Sequence, residues 1–252
     1  MAGSVAELAR YSLRRDFRRI DPTKARIILV EASPRILGAF PEDLSNYALA
    51  ALDHLGVTVR TGTAVETIES GRVTMGGEVV RAGCIVWGAG VKAAPVAAWL
   101  SVEADKTGRV SVEPDLSVTG LDGIYVIGDG ARALDGDGQP LPALAQVAQQ
   151  QGQYLGKALA RAIRDGTPMP PFRFHNRGNT AVIGRDAAVF DFGRWRFKGR
   201  IGWLLWAIVH IYLLTGFDKR VLVATQWLWR YLTYQTGARL ITGHDDRESR
   251  SH

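Results

Sequence analysis

The 252 residues are 46% hydrophobic and 22% charged, enough apolar side chain for one large domain or two modest cores, and this excludes a disordered chain. A single cysteine, Cys84, excludes an intramolecular disulfide and any paired-cysteine redox centre, and it fits a reducing, cytoplasmic setting. The net charge of +6 is concentrated: residues 193–241 hold eight basic residues against one acid, Asp218, together with five of the seven tryptophans, so a near-neutral body carries a basic, aromatic tail.

Residues 1–10 have neither the apolar stretch nor the cleavage site of a secretory signal. Val5, Leu8, Ala9, Leu13, Phe17 and Ile20 recur at helical spacing, which predicts a helix over 4–20 ended by Asp21-Pro22. A strand over 26–30 closes at Glu31. Leu44, Tyr47, Ala48, Ala51, Leu52 and Leu55 predict a helix over 41–55 with Gly56 as its cap, followed by a short strand over 57–60. Turns at Ser70-Gly71 and Gly76-Gly77 divide 65–80 into a β-meander. The run 84–87 reads as a buried strand with Cys84 in the core, leading into Gly88-Ala89-Gly90. Strand, helix and strand in this order predict a parallel, doubly wound sheet.

Further along, 108–114 is extended and 124–127 reads as a strand ending in Gly128-Asp129. A long helix is expected over about 144–164. After Pro168, Pro170 and Pro171, extended stretches follow over 172–175, 180–183 and 187–192. Two apolar helices, over 201–217 and 221–234, precede a frayed charged end. The first of these helices is shorter than the roughly 20 apolar residues a spanning helix needs, so the pair is expected to lie in a membrane interface, with Trp and Tyr at its rims.

Glu31 at the end of a strand is placed to accept hydrogen bonds from ribose hydroxyls and to disfavour a 2′-phosphate; a solvated strand-end acid is the plainer reading. No G-x-G-x-x-G loop occurs upstream of it. Gly88 and Gly90 allow close backbone approach to a cofactor, although Gly-x-Gly ends many strands. Asp129 is placed to bind a ribityl or ribose hydroxyl, or to serve a turn. Gln146 and Gln150 lie one turn apart on the long helix, where amides could orient a quinone carbonyl or face solvent. The five histidines, 54, 175, 210, 244 and 252, show neither triad nor metal-ligand spacing, so no catalytic side chain and no metal is expected.

Together these motifs resemble type II NADH dehydrogenases, the non-proton-pumping NADH:quinone oxidoreductases. The resemblance rests on AELARYSLRRDFRRIDP (6–22), RIILVEASPRIL (26–37), IVWGAGVKAAP (85–95), GRVSVEPDLSV (108–118), IYVIGDGA (124–131), ALAQVAQQQG (143–152) and WLLWAIVHIYLLTGFDKR (203–220). It implies an α/β fold, a partial two-dinucleotide-binding (Rossmann-like) flavoprotein with a small β-meander and C-terminal amphipathic membrane-anchoring helices. By position it assigns Glu31 to the NADH adenosine ribose and Gly88, Ala89 and Gly90 to the nicotinamide–flavin junction. Gly128 and Asp129 go to the FAD ribityl chain, and Ala145 to the helix start beside the flavin. Gln146 and Gln150 fall on an A-Q-x-A-x-Q pattern at the quinone side.

The implied domains are an NADH-binding domain over 1–95, the C-terminal part of an FAD domain over 96–167, a β segment over 168–200, membrane-surface helices over 201–241 and a flexible tail over 242–252. The implied setting is a respiratory chain at the cytoplasmic face of the inner membrane, with FAD as cofactor and NADH, quinone and the membrane surface as partners. A nucleic-acid role is not expected, and a homodimer is left open. The chain lacks the family's glycine motifs, so these 252 residues alone are expected neither to hold FAD nor to oxidise NADH. Rival readings are a related flavoprotein without redox cysteines and a non-catalytic membrane-bound remnant.

Overall fold

The computed structural model describes residues 1–15, 17, 19–213 and 217–233; the expected tail over 242–252 lies outside them. The α-helices are α1 (Ala2–Glu7), α2 (Glu42–His54), α3 (Val96–Leu100), α4 (Ala145–Asp165), α5 (Gly199–Leu213) and α6 (Phe217–Thr233). The first strands are β1 (Ile27–Val30), β2 (Val57–Arg60), β3 (Val65–Glu69), β4 (Arg72–Met75) and β5 (Glu78–Arg81). Then come β6 (Val110–Ser111), β7 (Ser117–Val118), β8 (Leu121–Tyr125), β9 (Ala131–Arg132), β10 (Asn179–Gly184), β11 (Ala187–Phe192) and β12 (Trp195–Lys198). The chain divides into two compact units, residues 1–85 with 178–252, and residues 86–177. Both the 85/86 boundary and the joining of 178–200 to the first unit differ from the divisions expected from sequence.

In the first unit, β1 and β2 pair in parallel from Ile27↔Val57 to Val30↔Arg60, with α2 as the crossover between them. Helix α2 buries Leu44, Ala48 and Leu52, four residues apart and so on one face. They join Val57 of β2, Ile183 of β10 and Val189 of β11 in one core, where each fully buried Leu contributes roughly 1.5–3 kcal/mol. Gly56, at φ +68°, reverses the chain after α2 as its sequence position predicts. Strands β3, β4 and β5 form the expected meander, and β10, β11 and β12 form a second antiparallel sheet. The predicted helix over 4–20 is corrected: α1 ends at Glu7, a π-helical stretch spans Leu8–Ser12, and a 3-10 turn spans Leu13–Arg15. Asp16 and Arg18 of that span lie outside the described residues. The next 3-10 turn, Pro22–Lys24, starts where Asp21 accepts the Thr23 N–H at 3.0 Å.

The second unit is built on short pairings. Strands β6 and β9 pair in parallel through Val110↔Ala131, and β7 and β8 pair antiparallel. Ala97, Val110, Val118, Val126 and Ala131 form one core cluster, and Leu116, Ala133, Leu141 and Val147 form another. The expected strand over 124–127 is corrected to β8, Leu121–Tyr125. The run 84–87 is not a strand; Cys84 is exposed, as are Val86 and Trp87, because no strand among the described residues supplies the backbone partner that a buried strand needs. For the same reason parallel pairing is confined to β1–β2 and β6–β9, and no doubly wound sheet forms among the described residues.

Candidate functional site

Glu31 ends β1 at the C-terminal edge of the parallel pair. Its N–H donates to the Arg60 carbonyl at 2.9 Å, and its Oε1 accepts the Ser33 N–H at 2.8 Å. Only one carboxylate oxygen is used; Oε2 has no hydrogen-bond partner among the described residues and is able to accept from a ligand hydroxyl. Glu31 belongs to the first unit, and the other candidate residues all belong to the second.

Within the second unit, Gly88, Ala89 and Gly90 lie on an exposed loop. Gly90 has φ +99°, and a Cβ placed on Gly88 or Gly90 would meet open space. The next residues, Val91 and Ala93, line a hollow with Thr107, Arg109, Asp129 and Ala143. The fold thus brings the loop after Gly90, Asp129 and the approach to α4 to one place. Asp129 is exposed, inside the short 3-10 turn Gly128–Gly130. Ala145 is exposed at the start of α4, whose N-terminus no side chain caps. Such a terminus carries a partial positive charge and suits an anionic or electron-rich group.

The wall of this hollow is held by a polar knot that the sequence reading missed. Asp105 Oδ1 accepts the Thr107 N–H at 2.8 Å, the Thr107 hydroxyl at 2.6 Å and the Arg109 N–H at 3.0 Å, and Oδ2 faces the Arg109 guanidinium at 2.9 Å. The Thr107 hydroxyl bond is the largest cause holding the Asp105 carboxyl well below its usual range; the Arg109 and Thr107 N–H bonds and the guanidinium add to it, against burial. Arg109 Nη1 also donates to the Leu141 carbonyl at 3.1 Å, tying this wall to the chain entering α4.

The glutamines of α4 divide their work. Gln151, 1% exposed, accepts the Gly128 N–H at 2.7 Å and so fixes the turn that carries Asp129. Gly128 has φ +69°, a conformation that strains other residues, and its N–H would otherwise be an unpaired backbone donor. Sequence reasoning assigned Gln151 no role. Its signal was position: it follows Val147 by one turn on the buried face, where a polar side chain requires a partner. Gln150, 9% exposed, donates to the His175 carbonyl at 2.9 Å and accepts the His175 N–H at 3.0 Å. Gln146 Oε1 accepts the Arg177 N–H at 3.0 Å. The expected strand over 172–175 is therefore not in a sheet; a side-chain amide takes the place of a strand partner. Both amides are thus committed to backbone.

Residues 5–152 match the pyridine nucleotide-disulphide oxidoreductase family. Two type II NADH:quinone oxidoreductases of Mycobacterium tuberculosis, Ndh and NdhA, are 35% and 31% identical over 96% of this chain, covering 54% and 53% of their own lengths. A type II NADH:quinone oxidoreductase of Staphylococcus aureus is 35% identical over 69% of the chain and 44% of its own length. The chain thus spans about half the length of the curated relatives it matches. Among solved structures, NDH2 of Plasmodium falciparum in complex with NADH superposes with a TM-score of 0.79 at 16% identity, over 92% of this chain and 63% of that one, a likeness of fold. The chain belongs to the pyridine nucleotide-disulphide oxidoreductase family, and within it resembles the type II NADH:quinone oxidoreductases.

Proposed function

We propose that the polypeptide carrying these residues is an FAD-dependent oxidoreductase that passes electrons from NADH to a membrane quinone without pumping protons. The observation that carries this reading is the 35% identity to the M. tuberculosis enzyme Ndh along 96% of the chain. The residues present fit a flavin: Gly90 at φ +99° leaves open space where a side chain would stand, Asp129 is exposed on the same hollow, and α4 opens beside it uncapped. Bound there, FAD would supply two-electron redox chemistry, accepting hydride from NADH and giving electrons to quinone.

This chain's own residues would do the positioning. Asp129 would accept a ribityl hydroxyl, held in place by the Gly128 turn that Gln151 fixes. Gly88, Ala89 and Gly90 would let the nicotinamide approach, and the N-terminus at Ala145 would stabilise negative charge gained on reduction. Glu31 would accept from the adenosine ribose through Oε2 and repel a 2′-phosphate. Gln146 and Gln150 would order the quinone side by holding residues 175–177 in place.

The reading includes peripheral attachment to the cytoplasmic face of the inner membrane. Among the described residues no helix is long and apolar enough to cross a membrane. Ile201, Leu204, Ile208 and Tyr212 are exposed along one face of α5, and Val221, Leu222, Leu228 and Trp229 are exposed on α6. Such faces suit the headgroup region of a bilayer. For the 252 residues expressed by themselves we propose neither flavin retention nor NADH oxidation, because their sequence contains no G-x-G-x-x-G turn to hold a pyrophosphate.

Rapid mixing of the flavin-loaded polypeptide with NADH, then with a short-chain quinone, tests the reading. Flavin bleaching by NADH and recolouring by quinone are expected, with no acidification when the protein sits on sealed vesicles. A flavin that NADH reduces but quinone leaves reduced would overturn it.

A further inference from the structure

Lys157 on α4, with Arg173 and Arg177 on the segment after it, lines an open hollow that also presents Gln150, Gln153, Tyr154 and Phe172. The positions of the two arginines follow from how this segment is held. Phe172 and Phe174 pack against the Leu116, Ala133, Leu141 and Val147 core. Arg173, between them, is exposed. The two-way bond of Gln150 to His175 and the bond of Gln146 to the Arg177 N–H fix the backbone at those two positions. Tyr154 and Phe172 meet edge to face, with centroids 5.4 Å apart, and give the hollow an aromatic wall.

No carboxylate among the described residues lines this hollow. Among the described residues, none of the three cationic heads makes an ion pair. Asp115, whose charge acts on the Tyr154 hydroxyl, is occupied by the N–H and hydroxyl of Ser117 at 3.0 and 2.6 Å. Three cationic residues lining one hollow repel one another. A multiply charged oxyanion relieves that repulsion. Guanidinium groups match phosphate oxygens with paired N–H donors, and the ammonium adds a point charge.

We propose that this hollow is a binding site for a phosphate-bearing anion, supplied as a free phosphate compound or as the headgroup of an acidic phospholipid. The proposal does not depend on the electron-transfer reading. Its test is calorimetric titration of the polypeptide with inorganic phosphate and with glycerol 3-phosphate. Retention on vesicles of phosphatidylcholine is then compared with retention on vesicles of phosphatidylcholine and phosphatidylglycerol in equal parts. The double variant Arg173→Gln/Arg177→Gln is compared with wild type and with Arg161→Gln, an exposed cation elsewhere on α4; circular dichroism checks that each is folded. The expected result is phosphate binding roughly tenfold or more weaker in the double variant, as the loss of two charge-assisted contacts implies, and unchanged in Arg161→Gln. If the preference for acidic vesicles falls in parallel, the source is a headgroup; if only the soluble anions are lost, it is a free phosphate compound. Equal phosphate binding by wild type and double variant, or none by wild type at millimolar concentration, overturns the proposal.

Discussion

Gln150 and His175, 25 residues apart in the chain, are joined by a two-way hydrogen bond: the amide donates to the His175 carbonyl and accepts its N–H. A side chain here does what a neighbouring strand does elsewhere, and both backbone groups of His175 depend on this one residue of α4. Gln150→Leu should therefore cost about 1–3 kcal/mol, since it strands a backbone donor and acceptor. In the flavin-loaded polypeptide it should slow electron transfer to quinone more than NADH reduction of the flavin. Chemical denaturation and stopped-flow half-reactions measure the two effects. Equal loss in both half-reactions would remove Gln150 from the acceptor side.

Gln151→Leu should be as costly to stability and more costly to the cofactor. Its carbonyl is the partner of the Gly128 N–H, and that turn carries Asp129. The expected outcome is about 1–3 kcal/mol lost and a lower flavin content per chain. Gly128→Ala, which forces a side chain into φ +69°, should reproduce the flavin loss at a cost of about 1–2 kcal/mol. Flavin content unchanged in both variants would separate this turn from cofactor binding.

The Asp105 knot sets a pH dependence with a definite sign. Its carboxyl is held below the ordinary range, chiefly by the Thr107 hydroxyl, so its stabilisation is present above the unfolded value of about 3.9 and is lost as pH falls through the folded value. Asp105→Asn should lower stability by about 1–3 kcal/mol at neutral pH, and the gap from wild type should narrow as the pH falls below about 4. Denaturation curves across the acid range give the comparison, and a gap that widened toward low pH would contradict the assignment.

Glu31→Gln should weaken NADH binding and relax the preference against NADPH, because the neutral amide no longer repels a 2′-phosphate. The Ser33 N–H still finds an acceptor in the amide oxygen, so the β1 end should keep its shape. Titration of each nucleotide against the polypeptide reads the ratio. An unchanged ratio would return Glu31 to a structural role at the end of β1.

Membrane attachment is better tested by substitution than by deletion. Removing residues 193–252 would strip the basic, aromatic tail in one step. In the structure, however, Gly202 of α5 lies so close to β11 that a Cβ there would stand 2.7 Å from the Ala188 carbonyl oxygen, and Ala188 and Val189 are fully buried. Deletion would uncover that core. Changing Ile201, Leu204 and Ile208 to Ser alters only exposed positions on α5. The triple variant should fold and lose most of its retention on vesicles; full retention would place attachment elsewhere.

Local chemistry was enough to specify much of this protein. The spacing of Leu44, Ala48 and Leu52, the cap at Gly56, the turn glycines of the meander and the length of α4 are each written within one or two turns of chain, where steric and hydrogen-bonding preferences act directly. The family resemblance was legible for a related reason, since it rests on short motifs in order. Partners distant in the chain were not legible. The apolar run at 84–87 reads as a core strand from its composition, yet burial of a strand depends on a neighbour for its backbone, and only the folded chain shows that none of the described strands takes that place. The α4 glutamines are five similar amides in sequence. Packing gives Gln151 to the Gly128 turn and Gln150 to the His175 peptide, because a buried amide bonds whatever backbone the rest of the fold brings within reach.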